Sequence, residues 1–299
     1  MADIELRFHK DMLVLSAPMN RALERQGVDA DDLEFVGLLE PETLHGLYRL
    51  DTMAGTQCLV TNTEALCEAR LAHKRLEGRQ TELAQAGLAA VKVSKPQHII
   101  CEIGACGLPL DHTSDQSVKH VRAQYADAVQ AFQDDTVDAF MFTGMRSVHD
   151  ARCALEGARE VTSRPLFMVF DMDEKGRVAG RDMAIEEAVR ELGDLADVYG
   201  FACGAEPAVL CEATKKLASV TDAPLMVQIN VVATDEMTRK RASLGAAIPG
   251  NPYPVADALV DVAVQLRACG AQFLRAGNEA TCAYTGALVV ACSGHDCVR

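Results

Sequence analysis

No run of about eighteen uncharged apolar residues occurs in the 299-residue chain, so the sequence offers no membrane-spanning helix. Its first residues, MADIELRFHKDM, carry charge where a secretory signal needs an apolar stretch, and a cytoplasmic location is the expectation. Basic charge is in short supply. Lys and Arg number 29 against 43 Asp and Glu, a formal net charge of -14. A phosphate backbone would be repelled by such a surface, which argues against nucleic acid as a partner. The eleven cysteines (58, 67, 101, 106, 153, 203, 211, 269, 282, 292 and 297) lack the close pairing of a zinc ribbon. A disulfide framework is not expected in a large cytosolic domain, so most are read as small buried apolar residues. There is no low-complexity stretch or linker, and no G-x-G-x-x-G follows the first strand, which counts against an open dinucleotide-binding sheet.

Apolar residues are plentiful, at 49% of the chain. They fall into short runs that alternate with amphipathic stretches. Strands are predicted over 12–15, 57–61, 98–103, 139–143, 166–170, 198–202, 225–229 and 272–274. Several lack polar alternation, as suits strands covered on both faces. Helices are predicted over 41–53, 64–83, 117–132, 148–158, 184–195, 207–219 and 254–268. In 117–132, Val118, Val121, Tyr125, Val129 and Phe132 share one face. Eight strands alternating with seven helices point to parallel βα units, and the length suits a single (β/α)8 TIM-type barrel spanning residues 1–299 as one domain. In that fold chemistry sits at the C-terminal ends of the strands. Those ends read Ser16-Ala17-Pro18-Met19, Thr61-Asn62-Thr63-Glu64, Glu102-Ile103-Gly104, Thr143-Gly144-Met145-Arg146, Asp171-Met172-Asp173, Cys203-Gly204-Ala205-Glu206, Asn230 and Arg275-Ala276-Gly277-Asn278-Glu279.

In this order, these ends resemble the homocysteine S-methyltransferase family, which includes the homocysteine-binding barrel of cobalamin-dependent methionine synthase. LLEPETLHGLYRLDTMAGTQCLVTNT is similar to its second βα unit, with a Pro-initiated helix, an Ala-Gly stop and a strand ending in Thr-Asn-Thr. EIGACG (102–107) resembles its Ser-Ile-Gly-Pro-x-Gly turn, YGFACGAEP (199–207) its Gly-Ile-Asn-Cys segment, and QIN (228–230) its Pro-Asn-Ala-Gly strand end. The resemblance implies methyl transfer to homocysteine or a related small thiol, with the methyl group supplied by a corrinoid protein in trans or by a small donor. It also implies a zinc ion on three cysteines, because zinc converts a mostly protonated thiol into the accepting thiolate. No bound organic cofactor is implied.

The chain departs from the pattern at the decisive places. Cys203 stands on one zinc-ligand position. Where the family has Gly-Gly-Cys-Cys-Gly, however, Arg275, Ala276, Gly277, Asn278 and Glu279 align, and both paired cysteines are absent. Ser16 opens a first loop without the usual Asp-Gly-Ala-Met-Gly-Thr, and Thr143-Gly144 replaces Glu-Thr at the fourth strand end. One thiolate does not make a three-ligand zinc site. Cys282, five residues past Gly277, is a weak substitute ligand; Glu279, Glu64, or the tail residues Cys292, His295 and Cys297 are others, the tail being expected to lie in solvent. Ser16, Asn62, Glu102, Thr143, Asn230, Arg275 and Glu279 are the candidate substrate-binding residues. Asn62 and Asn230 equally suit helix caps or turns, and Arg275 with Glu279 suits either a charged ligand or an internal ion pair. Three readings stand open: an S-methyltransferase, a zinc-free barrel with another small ligand, and an inactive partner of a true methyltransferase.

Overall fold

The computed structural model describes residues 3–132, 134–244 and 248–299. Eight parallel strands close in sequence order: β1 (Leu13–Leu15), β2 (Cys58–Val60), β3 (His98–Gly104), β4 (Ala139–Met145), β5 (Leu166–Asp171), β6 (Val198–Cys203), β7 (Leu225–Val231) and β8 (Ala271–Asn278), with β8 returning to β1. Around them run α1 (Asn20–Arg25), α2 (Val36–Leu39), α3 (Pro41–Met53), α4 (Glu68–His73), α5 (Gln80–Val93) and α6 (Asp115–Gln130). They continue with α7 (Val148–Val161), α8 (Ile185–Leu192), α9 (Pro207–Ala218), α10 (Glu236–Ser243), α11 (Ala258–Ala268) and α12 (Cys282–Cys292). This is the (β/α)8 barrel that the alternation predicts. Among the described residues no helix is long and apolar enough to cross a membrane.

Strand parity divides the core in two. Leu13 and Leu15, Ile100, Met141, Phe167 and Val169, Met226 and Phe273 pack with one another inside the barrel. Their neighbours Val14, Cys101, Phe142, Met168 and Phe201 point the other way and pack under the helices. Two-residue periodicity therefore sends one set inward and the next outward. The floor is sealed by a 3-10 turn, Ile4–Arg7, and by Phe8, whose ring lies 5.9 Å from Phe273 and 6.4 Å from Phe167.

The ring is thinnest between β1 and β2, which share a single register pair, Leu15 with Cys58. Side chains complete the join. Val60 N donates to Ser16 Oγ at 2.9 Å, and Val14 N donates to Gln57 Oε1 at 3.1 Å.

One sequence expectation is corrected and another refined. The single helix over 64–83 is in fact a loop, α4, a second turn and the start of α5. Arg75 and Gly78 both take positive φ, which a continuous helix does not allow. The C-terminal tail is exposed at 293–296, as expected, but it does not fray. Met12 N donates to His295 O and Cys297 N to Lys10 O, and Cys292 is buried, so the tail is fastened at the barrel floor.

Helix packing gives one stability prediction. A Cβ on Gly157 of α7 would meet the carbonyl oxygen of Arg122 in α6 at 2.3 Å. Gly157→Ala should push these helices apart at a cost of about 1–3 kcal/mol, seen as a lowered urea midpoint; an unchanged midpoint would refute this contact as the reason for glycine.

Candidate functional site

The inward parity that fills the barrel with Ile100, Met141, Phe167, Met226 and Phe273 places polar residues at the C-terminal ends of the same strands. Two residues on from Ile100 is Glu102, from Met141 Thr143, from Met226 Gln228 and from Phe273 Arg275. Asp171 and Asn230 stand four residues on from Phe167 and Met226. Glu102, Thr143, Asp171, Gln228 and Asn230 line a cavity of about 540 Å³ at this mouth, joined by Asn20, Arg21 and Glu24 of α1, by Glu64 and Arg146 from the loops and by Asn278 at the end of β8.

The floor of the cavity is an ion pair. Arg275, 1% exposed, donates from Nη1 to Glu102 Oε1 at 2.9 Å and from Nη2 to Oε2 at 2.8 Å. It also donates from Nε to Ser16 O at 2.9 Å and from Nη1 to Gln228 Oε1 at 3.2 Å. Thr143 Oγ1 donates to Glu102 Oε1 at 3.0 Å. The Glu102 backbone is pinned on both sides: its N donates to Thr61 Oγ1 at 3.0 Å and its O accepts from Thr63 Oγ1 at 2.8 Å. A bidentate, fully bonded pair of this kind is rigid and directional. Glu102, 7% exposed, still touches the cavity, whereas Arg275 lies beneath it.

Of the sequence candidates, Glu102, Thr143 and Asn230 line the mouth, with Arg275 directly under Glu102. Ser16 is wholly buried at the β1–β2 join. Asn62 donates from Nδ2 to Leu33 O at 3.1 Å, holding the loop that precedes α2. Glu279 pairs with Arg21 at 3.3 Å and Arg25 at 3.0 Å, tying α1 to the loop after β8, and does not meet Arg275. Gln228, Asp171, Arg146 and Asn20 are mouth residues that the sequence reading did not select. Parity counted outward from the apolar interior would have found Gln228 and Asp171; Arg146 follows β4 and Asn20 opens α1, and neither leaves such a trace.

Cys203 shares the outward parity of Tyr199 and Phe201 and packs in the outer core layer. Its Sγ lies 3.4 Å from Ala205 N and 3.7 Å from Asp173 O, and burial pushes the thiol pKa up. Cys282 lines a different cavity, beside the mouth. The aligned position of the missing cysteine pair is also filled. A Cβ on Gly277 would meet Asn230 Oδ1 at 2.5 Å and Gln228 Nε2 at 2.6 Å, and those two amides bond to each other at 3.0 Å. Among the described residues no three His, Cys, Asp or Glu side chains gather as metal ligands would. The residues present do not fit a zinc ion held by three thiolates.

Fold and mouth together define a (β/α)8-barrel protein of the kind that carries its chemistry at the C-terminal face. Residues 13–276 match the family model described as homocysteine S-methyltransferase, and the chain belongs to that family. No curated protein matches it in sequence. Among solved structures it is similar to the oxidized form of the homocysteine methyltransferase MmuM from Escherichia coli, with a TM-score of 0.73 and 17% identity over 94% of this chain and 96% of that one. The metallated form of the same enzyme gives 0.70 and 16% over the same shares. Fpglu1 from Fervidobacterium pennivoraus is a more distant likeness, at 0.56 and 12% over 89% of this chain and 86% of that one. At these identities the likeness is one of fold.

Proposed function

We propose that the mouth binds a small zwitterion of amino-acid size, as a participant in methyl transfer of the family's kind, and that binding needs no thiolate-held metal. The observation that carries this is the polar floor: Glu102 fixed by Arg275, with Thr143, Gln228 and Asn230 around it. Both charges of a zwitterion find partners in such a cavity. The carboxylate of Glu102 would meet an ammonium group, while a ligand carboxylate would compete for Arg21, now paired with Glu24 and Glu279, and for Arg146, now paired with Asp171, at the rim. Few residues are needed to orient a molecule of this size once water is displaced from around it.

The test is a panel of amino acids, homocysteine and methionine included, measured by thermal shift and calorimetry on the intact chain. One member should stabilise the fold by about 2.7 kcal/mol at roughly a hundredfold excess over its Kd. The gain should survive a chelator and Cys203→Ser, and fall in Thr143→Val. A panel without a binder, or binding abolished by chelation, would overturn the proposal.

A second reading is favoured by the family match over residues 13–276: methyl transfer to the thiol of homocysteine or a related compound, on zinc held in part by Cys203, with a corrinoid protein or small donor supplying the methyl group. It requires a stoichiometric metal that disappears in Cys203→Ser together with thiol methylation. The same metal measurement therefore separates the two readings.

A further inference from the structure

Beside the mouth, between the loops after β1 and β8, lies a second cavity of about 210 Å³. Its wall is largely apolar, with Met19, Ala22, Leu47 and Leu50 among its residues, and it shares only Pro18 with the mouth. One residue does not belong to that description. Helix α3 buries a stripe of Leu44, Tyr48 and Asp51, so a carboxylate stands where the helical repeat calls for a hydrocarbon. Asp51 is 3% exposed and lines the cavity.

Buried carboxylates are ordinarily paired or fully hydrogen-bonded. Among the described residues the Asp51 side chain has no salt bridge, and the polar groups turned toward it are the Thr285 hydroxyl and the Ala17 backbone. Thr285 Oγ1, on α12, is buried without a partner of its own. The Thr285 hydroxyl and the Ala17 backbone are near enough to pull the Asp51 pKa down, yet burial outweighs them and pushes it up to about 7. The cation on the same wall, Arg25, is engaged elsewhere: its Nη1 donates to Glu279 Oε2 at 3.0 Å. A local violation of helix patterning, with an accessible space in front of it, is the usual sign of a site and not of packing.

We propose that this cavity binds a small organic monocation with an apolar body, its ammonium seated on the Asp51 carboxylate and its hydrocarbon part against Leu47, Leu50 and Met19. The size agrees. An apolar cavity of about 150 Å³ takes a benzene ring, so 210 Å³ accommodates a ring with an aminomethyl arm. This site is separate from the mouth, and the proposal does not depend on what the mouth binds.

Benzylamine is the probe, with benzyl alcohol as its neutral counterpart, titrated calorimetrically into the intact chain above neutral pH. Benzylamine should bind at one equivalent and benzyl alcohol about tenfold or more weakly, a difference of about 1.4 kcal/mol. Cys282 lines the cavity and supplies a second readout. Benzylamine should slow its alkylation by iodoacetamide while the partly exposed Cys211, Cys269 and Cys297 react as before. Asp51→Asn keeps the shape and removes the charge, and Ala22→Phe fills the space from the rim without touching Asp51; each should abolish both effects in a protein that still melts cooperatively. Thr143→Val should leave both intact. Equal affinity for the alcohol, an unprotected Cys282, binding that persists in both cavity variants, loss of binding in Thr143→Val, or no saturable binding would each overturn the proposal.

Discussion

Arg275→Met should lower the unfolding free energy by about 3–5 kcal/mol, because it leaves the Glu102 carboxylate buried with its principal partner gone. The guanidinium supplies two of the three bonds to that carboxylate, one to Ser16 O and one to Gln228. Removing it also leaves the Ser16 carbonyl and the Gln228 amide oxygen without that donor. Arg275→Lys should recover only part of the loss, since an ammonium cannot reproduce the two-pronged contact. The paired change Arg275→Met with Glu102→Leu should recover much of it, as both buried charges then leave together. Equilibrium urea unfolding measures all three. If Arg275→Met unfolded at the wild-type midpoint, the pair would not be the structural floor described above.

Phe273→Ala is expected to cost a comparable amount, about 3–5 kcal/mol, by opening a void at the opposite end of the barrel. The ring of Phe273 lies 5.0 Å from that of Phe167 and 5.9 Å from that of Phe8, so it holds the entry segment against the strands. Besides a lower denaturation midpoint, the variant should be cleaved faster by protease within the first ten or so residues, as segments with few remaining contacts open first. Wild-type cleavage kinetics with a lowered midpoint would show that the entry segment is held by other contacts.

The strands were legible because each carries a short apolar run, the composition that burial on both faces favours. Helix α3 was legible from its proline start and its buried spacing, and its bounds, Pro41–Met53, are those predicted. The break between α4 and α5 was not, since positive φ at Arg75 carries no sequence mark; only Gly78 hinted at it. At the mouth, Glu102, Thr143 and Asn230 were found as polar residues ending apolar runs. Gln228 was passed over because it lies inside the run, and polarity there reads as noise until the parity is counted. Cys203 illustrates the opposite difficulty. Its position in the chain matches the family's ligand, but a one-residue difference in parity decides between the mouth and the layer beneath the helices, and spacing along the chain does not reveal it. The partner of Arg275 was equally hidden. Glu279, close in sequence, was the counter-ion in one of two open readings, while Glu102, 173 residues away, is the one the closed ring brings to it.

The join between β1 and β2 gives Ser16 a further meaning. A hoop assembled from staves is as sound as its narrowest overlap, and here two side-chain oxygens reinforce the bond from Ser16 N to the Cys58 carbonyl, where main-chain carbonyls suffice elsewhere. Main-chain fastenings are indifferent to which amino acid bears them; this one is not, so the identity of residues 16 and 57 is written into the circumference itself. Because Ser16 O also accepts from Arg275, slackening at that stave travels straight to the charged pair at the centre. A change at Ser16 would therefore look, in any assay of the cavity, like damage to recognition, although the residue touches no visitor and merely keeps the vessel round.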